Sequence, residues 1–286
     1  MREVLPPAGL TQEYLVGKVW EALDEDAASR DVTTAAVVPP DLWAEAELRA
    51  GAEGVVAGLG VVEEAFRQVD AESEFHPEAV DGDRVAPGEV VARVRGPLGG
   101  LLRAERTALN FLQQLSGVAT LTRRYVDAAG PGVAVLDTRK TVAGLRPLQR
   151  HAVRAGGGVN HRLDLAGAVL IKDNHVAAAG GTAAAIRLAR GSGLPVEVEV
   201  ETLDELDVAL AERAELVLLD NMPPGQVAEA VRRTAGRAVL EVSGGVTLDT
   251  IADYAATGVD RISVGALTHS APALDVSMEV TRSWRQ

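Results

Sequence analysis

Short apolar runs alternate with amphipathic stretches along the chain from about residue 131 onward. Seven runs rich in Val and Leu are candidate strands: 133–137, 158–162, 168–173, 196–201, 216–220, 238–243 and 261–265. The stretches between most of them repeat their apolar positions at helical spacing. Buried strands that alternate with helices are typical of a parallel sheet. We therefore predict an α/β fold with a seven-stranded (β/α) barrel, which is irregular at 158–173 because that segment leaves little room for a helix.

The N-terminal part of the chain has a different pattern. Residues 31–59 and 80–97 combine strand-like alternation with turns that contain Gly and Pro. The apolar spacing in 61–69 predicts a short helix, and that in 103–129 predicts one or two helices. This mixture predicts an α+β domain that leads into the barrel through a helix.

These two patterns divide the chain into two domains. We predict an α+β sandwich over residues 1–115 and a (β/α) barrel, which carries the ligand site, over residues 116–270. The C-terminal segment 271–286 is expected to form a helix that joins the N-terminal domain.

The composition excludes several classes of protein. With 28 Lys and Arg against 41 Asp and Glu, the chain of 286 residues carries a net charge of −13, whereas non-specific nucleic-acid binding needs many cations. The absence of Cys excludes disulfides and thiolate metal sites. No apolar run is long enough for a membrane span, and the segment 1–14 lacks the features of a signal peptide. We expect a cytoplasmic protein.

Positive charge is nevertheless concentrated at the ends of three apolar runs. Arg139 and Lys140 follow the first run, His161 and Arg162 end the second, and Lys172 lies near the end of the third. A buried cation without a partner is costly, so such a cluster indicates an anionic ligand. The planar fork of arginine suits a carboxylate or a phosphate. The cluster predicts a pocket for a small polyanion at the mouth of the barrel.

Three glutamates alternate with valines in the segment 196–201. Because side chains alternate along a strand, Glu197, Glu199 and Glu201 share one face. The valines should pack outward on helices, which turns the glutamates inward. Two like charges 4 Å apart repel by roughly 4 kcal/mol at an effective dielectric of 20, so lysines from other strands are natural partners. Glu197 and Glu199 are interpreted as structural counter-ions, and Glu201, nearest the strand end, as a residue that faces the ligand.

A further carboxylate, Asp220, ends the strand 216–220. It could hold Mg²⁺, ribose hydroxyls or a neighbouring lysine, or it could cap the helix that follows. Asp220 and Glu201 are too few ligands for a dedicated metal cage. They suit a Mg²⁺ ion that keeps waters and binds to the phosphates of a substrate.

Small residues follow the last two strands. Ser243, Gly244 and Gly245 form one turn, and Gly265 with Ala266 forms another. Loops in this position of a barrel commonly bind phosphate through backbone N–H groups, although ordinary tight turns have the same composition. Among the histidines, His161 is expected to contact the ligand. His175 is interpreted as a structural hydrogen-bonding residue.

Together these motifs resemble the quinolinate phosphoribosyltransferase family, also called nicotinate-nucleotide pyrophosphorylase (carboxylating). The resemblance covers residues from about 15 to 280 and rests on DTRKT, LRPLQRHAVRAGGGVNHRLDL, AVLIKDNHV, EVEVE, LLDNM, LEVSGG and GVDRISVGALTHS. It implies that quinolinate and phosphoribosyl pyrophosphate react, with Mg²⁺, to nicotinate mononucleotide, pyrophosphate and CO₂ in de novo NAD biosynthesis. The family's early EDxGxGDxTT element is present as EDAASRDVTT, without its glycines.

The resemblance also implies roles for individual residues. Arg139, Arg162 and His161 would hold the two carboxylates of quinolinate, with Thr138 beside them, and Lys140 and Lys172 would offset substrate charge. Glu201 and Asp220 match residues near the ribose hydroxyls and the metal, and both glycine turns match the 5′-phosphate site. Lys140, Lys172, Glu201 and Asp220 are the candidate catalytic residues.

The resemblance implies a shared active site as well. Arg106 matches an arginine that reaches into the neighbouring subunit's site, which predicts a homodimer or an assembly of dimers. A local pair with Glu105, or with another carboxylate on the same helix, is the alternative role for Arg106. Two alternatives to the whole assignment are a molybdenum-transport-associated paralogue with another acceptor and a non-catalytic sugar-phosphate sensor.

Overall fold

The structure, a computed structural model, describes residues 10–286 and forms two compact units. The first unit contains the residues up to 121 together with 143–157 and 271–286, and the second contains 122–142 and 158–270. The sequence-based division after residue 115 did not include the return of 143–157 to the first unit. Most of the segment used to predict that no signal peptide is present, residues 1–9, lies outside the described residues.

Helices and strands alternate through most of the described chain. The helices are α1 (Gln12–Glu25), α2 (Val32–Val37), α3 (Leu59–Val69), α4 (Leu98–Ala129), α5 (Arg146–Ala155), α6 (Asp173–Ala179), α7 (Thr182–Ala189), α8 (Leu203–Ala211), α9 (Pro224–Thr234), α10 (Ile251–Ala255) and α11 (Ala266–His269). The strands are β1 (Leu42–Ala50), β2 (Gly54–Val55), β3 (Glu74–Pro77), β4 (Arg84–Val85), β5 (Val90–Pro97), β6 (Ala134–Leu136), β7 (Val169–Ile171), β8 (Val196–Val200), β9 (Leu216–Asp220), β10 (Val239–Ser243), β11 (Arg261–Ser263) and β12 (Val276–Arg285). None of these helices combines the length and the apolar character that crossing a membrane requires.

An antiparallel sheet forms the centre of the first unit. Its strand order is β12-β1-β5-β3, and a separate ladder joins β2 to β4. Alternate residues of β1 are buried, with Ala44, Ala46 and Leu48 fully enclosed, which is the period of a strand with one face on a core. Helix α3 covers part of this core, and its Phe66 stacks on Phe75 of β3 with 6.4 Å between ring centroids. The predicted α+β character is confirmed.

The C-terminal segment is a strand, so the predicted helix over 271–286 is wrong. Strand β12 pairs antiparallel with β1 from Leu42↔Arg285 to Ala50↔Val276, with one bulge between Glu45 and Ala46. The sequence VSMEVTRSWR alternates apolar and polar residues and contains β-branched side chains, which favours a strand over a helix.

Helix α4 is continuous over its 32 residues. The sequence allowed one helix or two, and the structure has one. Its residues up to 121 belong to the first unit and the remainder to the second.

The second unit is built on a parallel sheet. Its strand order is β6-β11-β10-β9-β8-β7, and all five ladders are parallel. Consecutive strands β8, β9, β10 and β11 lie side by side, as expected for repeated strand–helix units. Val198, Val217 and Val242 in the middle of these strands are completely buried. The α/β fold is confirmed.

The seventh predicted strand, 158–162, is reduced to a single parallel bridge between Val159 and Leu136. The main chain on both sides of Val159 still bonds to β6, through Val159 N to Val135 O and Asp137 N to Val159 O. Beyond that point the Asp137 side chain receives the polar groups of Asn160 and His161. A side chain therefore replaces the neighbouring strand as hydrogen-bond partner, and the ladder ends.

The edge position of β12 generates a prediction about stability. Truncation after Asp275 should lower Tm by more than about 5 °C, because the ladder with β1 is lost and each hydrogen bond contributes roughly 1 kcal/mol. The control is truncation after Trp284, which keeps almost the whole ladder and the Trp43–Trp284 ring contact. Thermal unfolding followed by circular dichroism measures both, and equal melting of the two truncated proteins would contradict the role assigned to β12.

Candidate active site

A cavity of about 400 Å³ opens at the carboxyl ends of the parallel strands in the second unit. Ten of the fourteen residues predicted from the sequence to bind or transform a ligand line it: Thr138, Arg139, Lys140, His161, Arg162, Lys172, Asp220, Ser243, Gly244 and Gly245. They come from loops that follow β6, β7, β9 and β10, and from the segment after the bridge at Val159. The parallel sheet thus brings together residues that are up to 107 positions apart in sequence, from Thr138 to Gly245.

Asp137 holds together the two segments that carry Arg139 and Arg162. This residue ends the run before Thr138 and is fully buried. Its Oδ2 accepts a hydrogen bond from Asn160 Nδ2 at 2.6 Å, and its Oδ1 accepts one from the backbone N–H of His161 at 2.8 Å. Because a buried carboxylate needs such donors, the segment that carries Arg162 is held against the segment that carries Arg139.

Arg162 is anchored through its guanidinium group. Its Nη1 donates to the carbonyl of Ala168 at 2.9 Å. Burial lowers the pKa of its guanidinium from the ordinary value, and the nearby charge of Arg139 lowers it further. An anion bound between these two guanidinium groups would offset the repulsion between them.

His161 lies on two buried glutamates at the base of the cavity. Its Nε2 is 3.0 Å from Glu197 Oε2 and 3.4 Å from Glu241 Oε1. Burial lowers the pKa of His161, but the hydrogen bonds and charges of Glu197 and Glu241 outweigh burial and raise it to about 9. Glu241 also accepts a hydrogen bond from the hydroxyl of Ser263. Glu197 therefore points inward as predicted, and its partner is a histidine rather than a lysine.

Lys172 pairs with Glu199, and this is the lysine–glutamate pair that the alternation in β8 predicted. The ammonium group donates to Glu199 Oε2; the lysine side chain is half exposed, whereas that of the glutamate is largely buried. His175 has the structural role expected of it, because its Nδ1 accepts a hydrogen bond from Lys172 N at 2.9 Å at the start of α6.

The turns after β9 and β10 are joined by hydrogen bonds next to Asp220. The register pairs Asp220 with Ser243, and Asn221 N donates to Ser243 O at 2.9 Å. Asn221, at φ 55°, also donates from Nδ2 to Asp220 Oδ2 at 2.7 Å. Helix α9 begins after Pro223 without a side-chain cap, so the alternative role of Asp220 as an N-cap is wrong.

Gly244 is required by this arrangement. Its φ is +95°, and a Cβ at this position would overlap Asn221 Oδ1 and lie 3.0 Å from Asn221 N. Gly245, at φ +64°, has open space around it. The turn therefore presents bare backbone to the cavity, which is the form of a backbone phosphate site.

Lys140 is held at its main chain. Its amide donates to Thr138 Oγ1 at 3.0 Å, and its carbonyl accepts from Thr268 Oγ1 at 2.8 Å. The side chain is exposed and passes close to Gly265, where a Cβ would lie 3.2 Å from Lys140 Cδ. Gly265 leads into α11 and does not itself line the cavity.

Four predicted site residues lie outside the cavity lining: Arg106, Glu201, Gly265 and Ala266. Glu201 is exposed, and its backbone N–H donates to Glu205 Oε2 at 2.8 Å. Arg106 is exposed on α4 in the first unit, and no carboxylate among residues 10–286 forms an ion pair with it. The alternative of a local pair with Glu105 is therefore wrong.

The sequence interpretation missed several residues that complete the site, chiefly Glu241, Ser263 and Asn221. A signal for Glu241 was present, because the alternation in VLEVS turns Glu241 to the same face as Ser243. The register of β10 and β11 pairs Val242 with Ile262, which places Ser263 beside Ser243. Asn221 could not be recognised from sequence, since its role depends on a positive φ.

The first unit contains a larger cavity, of about 550 Å³, with a different chemistry. Three carboxylates line it, Glu21, Glu25 and Asp26, and its single cation, Lys18, already pairs with Glu21. A polyanion would meet net negative charge there. The cavity of the second unit, with cations on its wall and bare glycine backbone beside them, is the one that fits a polyanionic ligand.

Comparisons with known proteins agree with this chemistry. Residues 118–279 match the family described as quinolinate phosphoribosyl transferase, C-terminal domain, and residues 31–116 match the corresponding N-terminal domain. The chain is 46% identical over 270 residues to the nicotinate-nucleotide pyrophosphorylase [carboxylating] of Mycobacterium leprae, covering 91% of this chain and 94% of the relative. It is 41% identical over 263 residues to a probable enzyme of that name from Bacillus subtilis, covering 91% of each.

Solved structures give the same result at the level of the fold. NadC from Streptococcus pyogenes superimposes with a TM-score of 0.92 at 40% identity, covering 98% of this chain and 99% of the other. The nicotinate-nucleotide pyrophosphorylase from Francisella tularensis superimposes with a TM-score of 0.93 at 38% identity, covering 98% and 100%. The residues that line the cavity, the two matched domains and these relatives lead to one conclusion: the chain belongs to the quinolinate phosphoribosyl transferase family.

Proposed function

We propose that this protein is an enzyme that transfers the phosphoribosyl group of phosphoribosyl pyrophosphate to quinolinate and releases pyrophosphate and CO₂. The product is nicotinate mononucleotide, a precursor in NAD biosynthesis. The observation that carries the proposal is the convergence of Arg139, Arg162 and Lys172 on one cavity of a chain that belongs to this family. The printed names of its relatives support quinolinate as acceptor, and none of those described above concerns molybdenum transport.

The acceptor end of the cavity suits a planar dianion. The guanidinium groups of Arg139 and Arg162 lie close enough for one to lower the pKa of the other, so two adjacent carboxylates would neutralise both. Arginine binds carboxylates through two parallel hydrogen bonds, which also fixes the plane of the ring. This pairing leaves the pyridine nitrogen free to react.

The donor end of the cavity suits a sugar phosphate. Ser243, Gly244 and Gly245 offer backbone N–H groups without side chains in the way, and Asp220 lies across from them in the register of β9 and β10. A carboxylate in this position can accept hydrogen bonds from ribose hydroxyls. Lys140 and Lys172 offset the negative charge of two bound anions.

The reaction follows from this geometry without a covalent enzyme intermediate. The lone pair of the pyridine nitrogen forms a bond to C1 of the ribose, while the bond from C1 to the pyrophosphate oxygen breaks. Positive charge then rests on the ring nitrogen. The bond to the adjacent carboxylate breaks next, CO₂ leaves, and the electron pair that remains on the ring carbon takes up a proton. The enzyme contributes by orienting the reactants and by fixed charges.

Mg²⁺ belongs to this proposal as a companion of the donor. Its ligands in proteins are oxygens, usually one or two carboxylates with waters and substrate phosphates. Asp220 supplies a carboxylate at the cavity and fits that donor set. Glu201, the second predicted ligand, is exposed outside the lining, so its role as a ligand stays a prediction. When bound, Mg²⁺ would offset the charge of the leaving pyrophosphate.

Arg106 extends the proposal to the assembly. This exposed arginine forms no ion pair within residues 10–286, and an arginine supplied by a second copy of the chain would complete an anion site. We propose a homodimer, or an assembly of dimers, in which each Arg106 serves the partner's cavity. The cytoplasmic location expected from the sequence stays a prediction.

The activity itself is the first test. Purified protein with quinolinate, phosphoribosyl pyrophosphate and Mg²⁺ should form nicotinate mononucleotide and CO₂ in equal amounts, measured by chromatography and by release of labelled CO₂ from carboxyl-labelled quinolinate. Nicotinate, which lacks one carboxylate, should react more than about tenfold less efficiently, because a lost charge-assisted hydrogen bond costs roughly 1.5–3 kcal/mol. Comparable kcat/KM values for the two acceptors would contradict the assignment.

A second test addresses the donor end. Gly244→Ala should raise KM for phosphoribosyl pyrophosphate by more than about tenfold, because the new Cβ strains a positive φ and displaces Asn221 from beneath the turn. The control is Gly236→Ala, which has a similar φ of +73° but open space around the new Cβ and lies outside the cavity lining. Steady-state kinetics at saturating quinolinate distinguish the two, and an unchanged KM in Gly244→Ala would remove the turn from the donor site.

A third test addresses the shared site. Arg106→Ala and Lys140→Ala should each be inactive, and a co-refolded mixture should regain about a quarter of wild-type activity, since half of the dimers are mixed and each has one intact site. The control mixture of Lys140→Ala with Lys172→Ala should stay inactive because every site keeps a defect. If the first mixture also stays inactive, Arg106 does not act on the partner's cavity.

A further inference from the structure

The cluster of His161, Glu197 and Glu241 is not explained by ligand binding alone. Both glutamates are nine-tenths or more buried, with 5% of Glu197 and 1% of Glu241 exposed. Each uses one oxygen toward His161, and the other oxygens, Glu197 Oε1 and Glu241 Oε2, are buried and accept no hydrogen bond from residues 10–286. Two buried carboxylates beneath an anion-binding cavity weaken the binding of an anion. Their presence therefore needs another explanation.

The hydrogen bonds around the ring of His161 show where its proton lies. The backbone N–H of Arg162 donates to Nδ1 at 2.7 Å, and a nitrogen that accepts a hydrogen bond carries no proton. The proton of the neutral ring is therefore on Nε2, between the two carboxylates. A second proton, on Nδ1, would end the contact with Arg162 N–H and turn Nδ1 into a donor. In both states Nε2 keeps its proton.

We propose that Glu197 and Glu241 are positioning residues of the transfer site, which together hold His161 by its Nε2–H and so fix the ring at the cavity in both its neutral and its cationic form. This proposal rests on the proposed function and adds two residues to it. The path runs from the carboxylates of β8 and β10 to Nε2 and through the ring to the cavity, where Nδ1 accepts the Arg162 N–H in the neutral ring and becomes a donor for an anion once it is protonated.

The surroundings of the ring favour a proton over a metal ion. The ligand atoms of His161, Glu197 and Glu241 lie within 4.8 Å of one another, a spacing that a divalent cation also fits. A metal on Nε2 would displace the ring proton that lies between the two carboxylates. Hydrogen bonds to the two carboxylates raise the pKa of His161 to about 9 against the effect of burial, so a metal would also have to displace a proton that is held well above neutral pH.

Other charged groups near the ring are arranged around this cluster. Besides His161, the charged residues that line the two adjoining cavities are Arg139, Lys140, Arg162, Lys172, Glu199, Asp220 and Glu241 in one and Arg162, Glu197 and Arg261 in the other. Asp137, after β6, accepts a hydrogen bond from the backbone N–H of His161. The carboxylates of Glu197 and Glu241 lie 3.0 Å and 3.4 Å from Nε2 of the ring. The two glutamates are thus the anions in direct contact with the ring.

The test reads the ring itself. The chain has five histidines, so ¹⁵N-labelled histidine gives few signals, and His161→Gln identifies those of His161. In the wild type, Nε2 should be protonated at every pH, and Nδ1 should titrate near the raised pKa of about 9. Glu197→Gln and Glu241→Gln should each lower that pKa by at least about one unit, since one opposite charge at this distance shifts a pKa by 1–3 units. Glu197→Asp and Glu241→Asp keep the charge and should restore part of the shift.

Activity is then measured as a function of pH. Because a raised pKa keeps the cation as pH rises until the pKa of the folded protein is passed, kcat/KM for quinolinate should fall at high pH. That fall should begin at a pH at least about one unit lower in the two Gln variants. The matched control is Glu64→Gln, which removes a buried glutamate paired with Arg67 in the first unit. It should leave both the His161 signals and the pH profile unchanged.

Each outcome decides the proposal. A wild-type His161 with an ordinary pKa and a proton on Nδ1 would overturn it even if the variants failed to fold. The proposal would also be overturned if the Gln variants lower the pKa of His161 but do not move the fall of kcat/KM to lower pH. The protonated ring would then have no part in the reaction. Stoichiometric binding of Zn²⁺ that shifts the His161 signals, and is lost in both Gln variants, would reassign the cluster as a metal site. If the wild type makes no nicotinate mononucleotide, the proposed function fails, but the His161 signals still test whether Glu197 and Glu241 hold the ring by its Nε2–H.

Discussion

The organisation of the active site depends on the cost of burying negative charge inside a parallel sheet. Strands β6, β8 and β10 each carry a carboxylate at or near the interior of the sheet, namely Asp137, Glu197 and Glu241. A buried carboxylate is tolerated only with donors or cations around it. These three carboxylates all bind the segment around His161. Asp137 accepts a hydrogen bond from its backbone N–H, and Glu197 and Glu241 contact its ring. The site is arranged from the sheet outward.

The same constraint explains how a chain of net charge −13 can hold a polyanion. Attraction from a distance is unavailable, so the cations must be concentrated and oriented at short range. Lys172 is held by Glu199, and Arg162 is held by Ala168 O and by the ring beneath it. Side chains that are fixed before a ligand arrives lose less conformational entropy when it binds. Local order in this way compensates for an unfavourable overall charge.

Sequence patterns predicted what depends on period and composition. The alternation in 196–201 gave the inward glutamates, and the apolar runs gave six of the seven candidate strands. The pattern failed where one hydrogen bond decides the outcome: the strand at 158–162 stops at Val159 because the Asp137 side chain takes its next polar groups. The helix predicted for 271–286 is also wrong, because VSMEVTRSWR has the period of two that is typical of a strand. The partner of Glu197 could not be predicted, because lysine and histidine are equally available in sequence and only the fold places His161 above it.

The buried pair Glu197 and Glu241 shows how the site balances affinity against geometry. Apolar side chains of similar volume in their place would leave the cavity more positive, and replacing buried charges in this way often costs a fold little stability. The ring of His161 would then have no fixed acceptor for Nε2–H. Catalysis by fixed charges requires that those charges be held in place before the reaction, since reorganisation during the reaction adds to the barrier. The glutamates therefore weaken the attraction for the substrate and, by holding the histidine, keep its ring in one arrangement at the cavity.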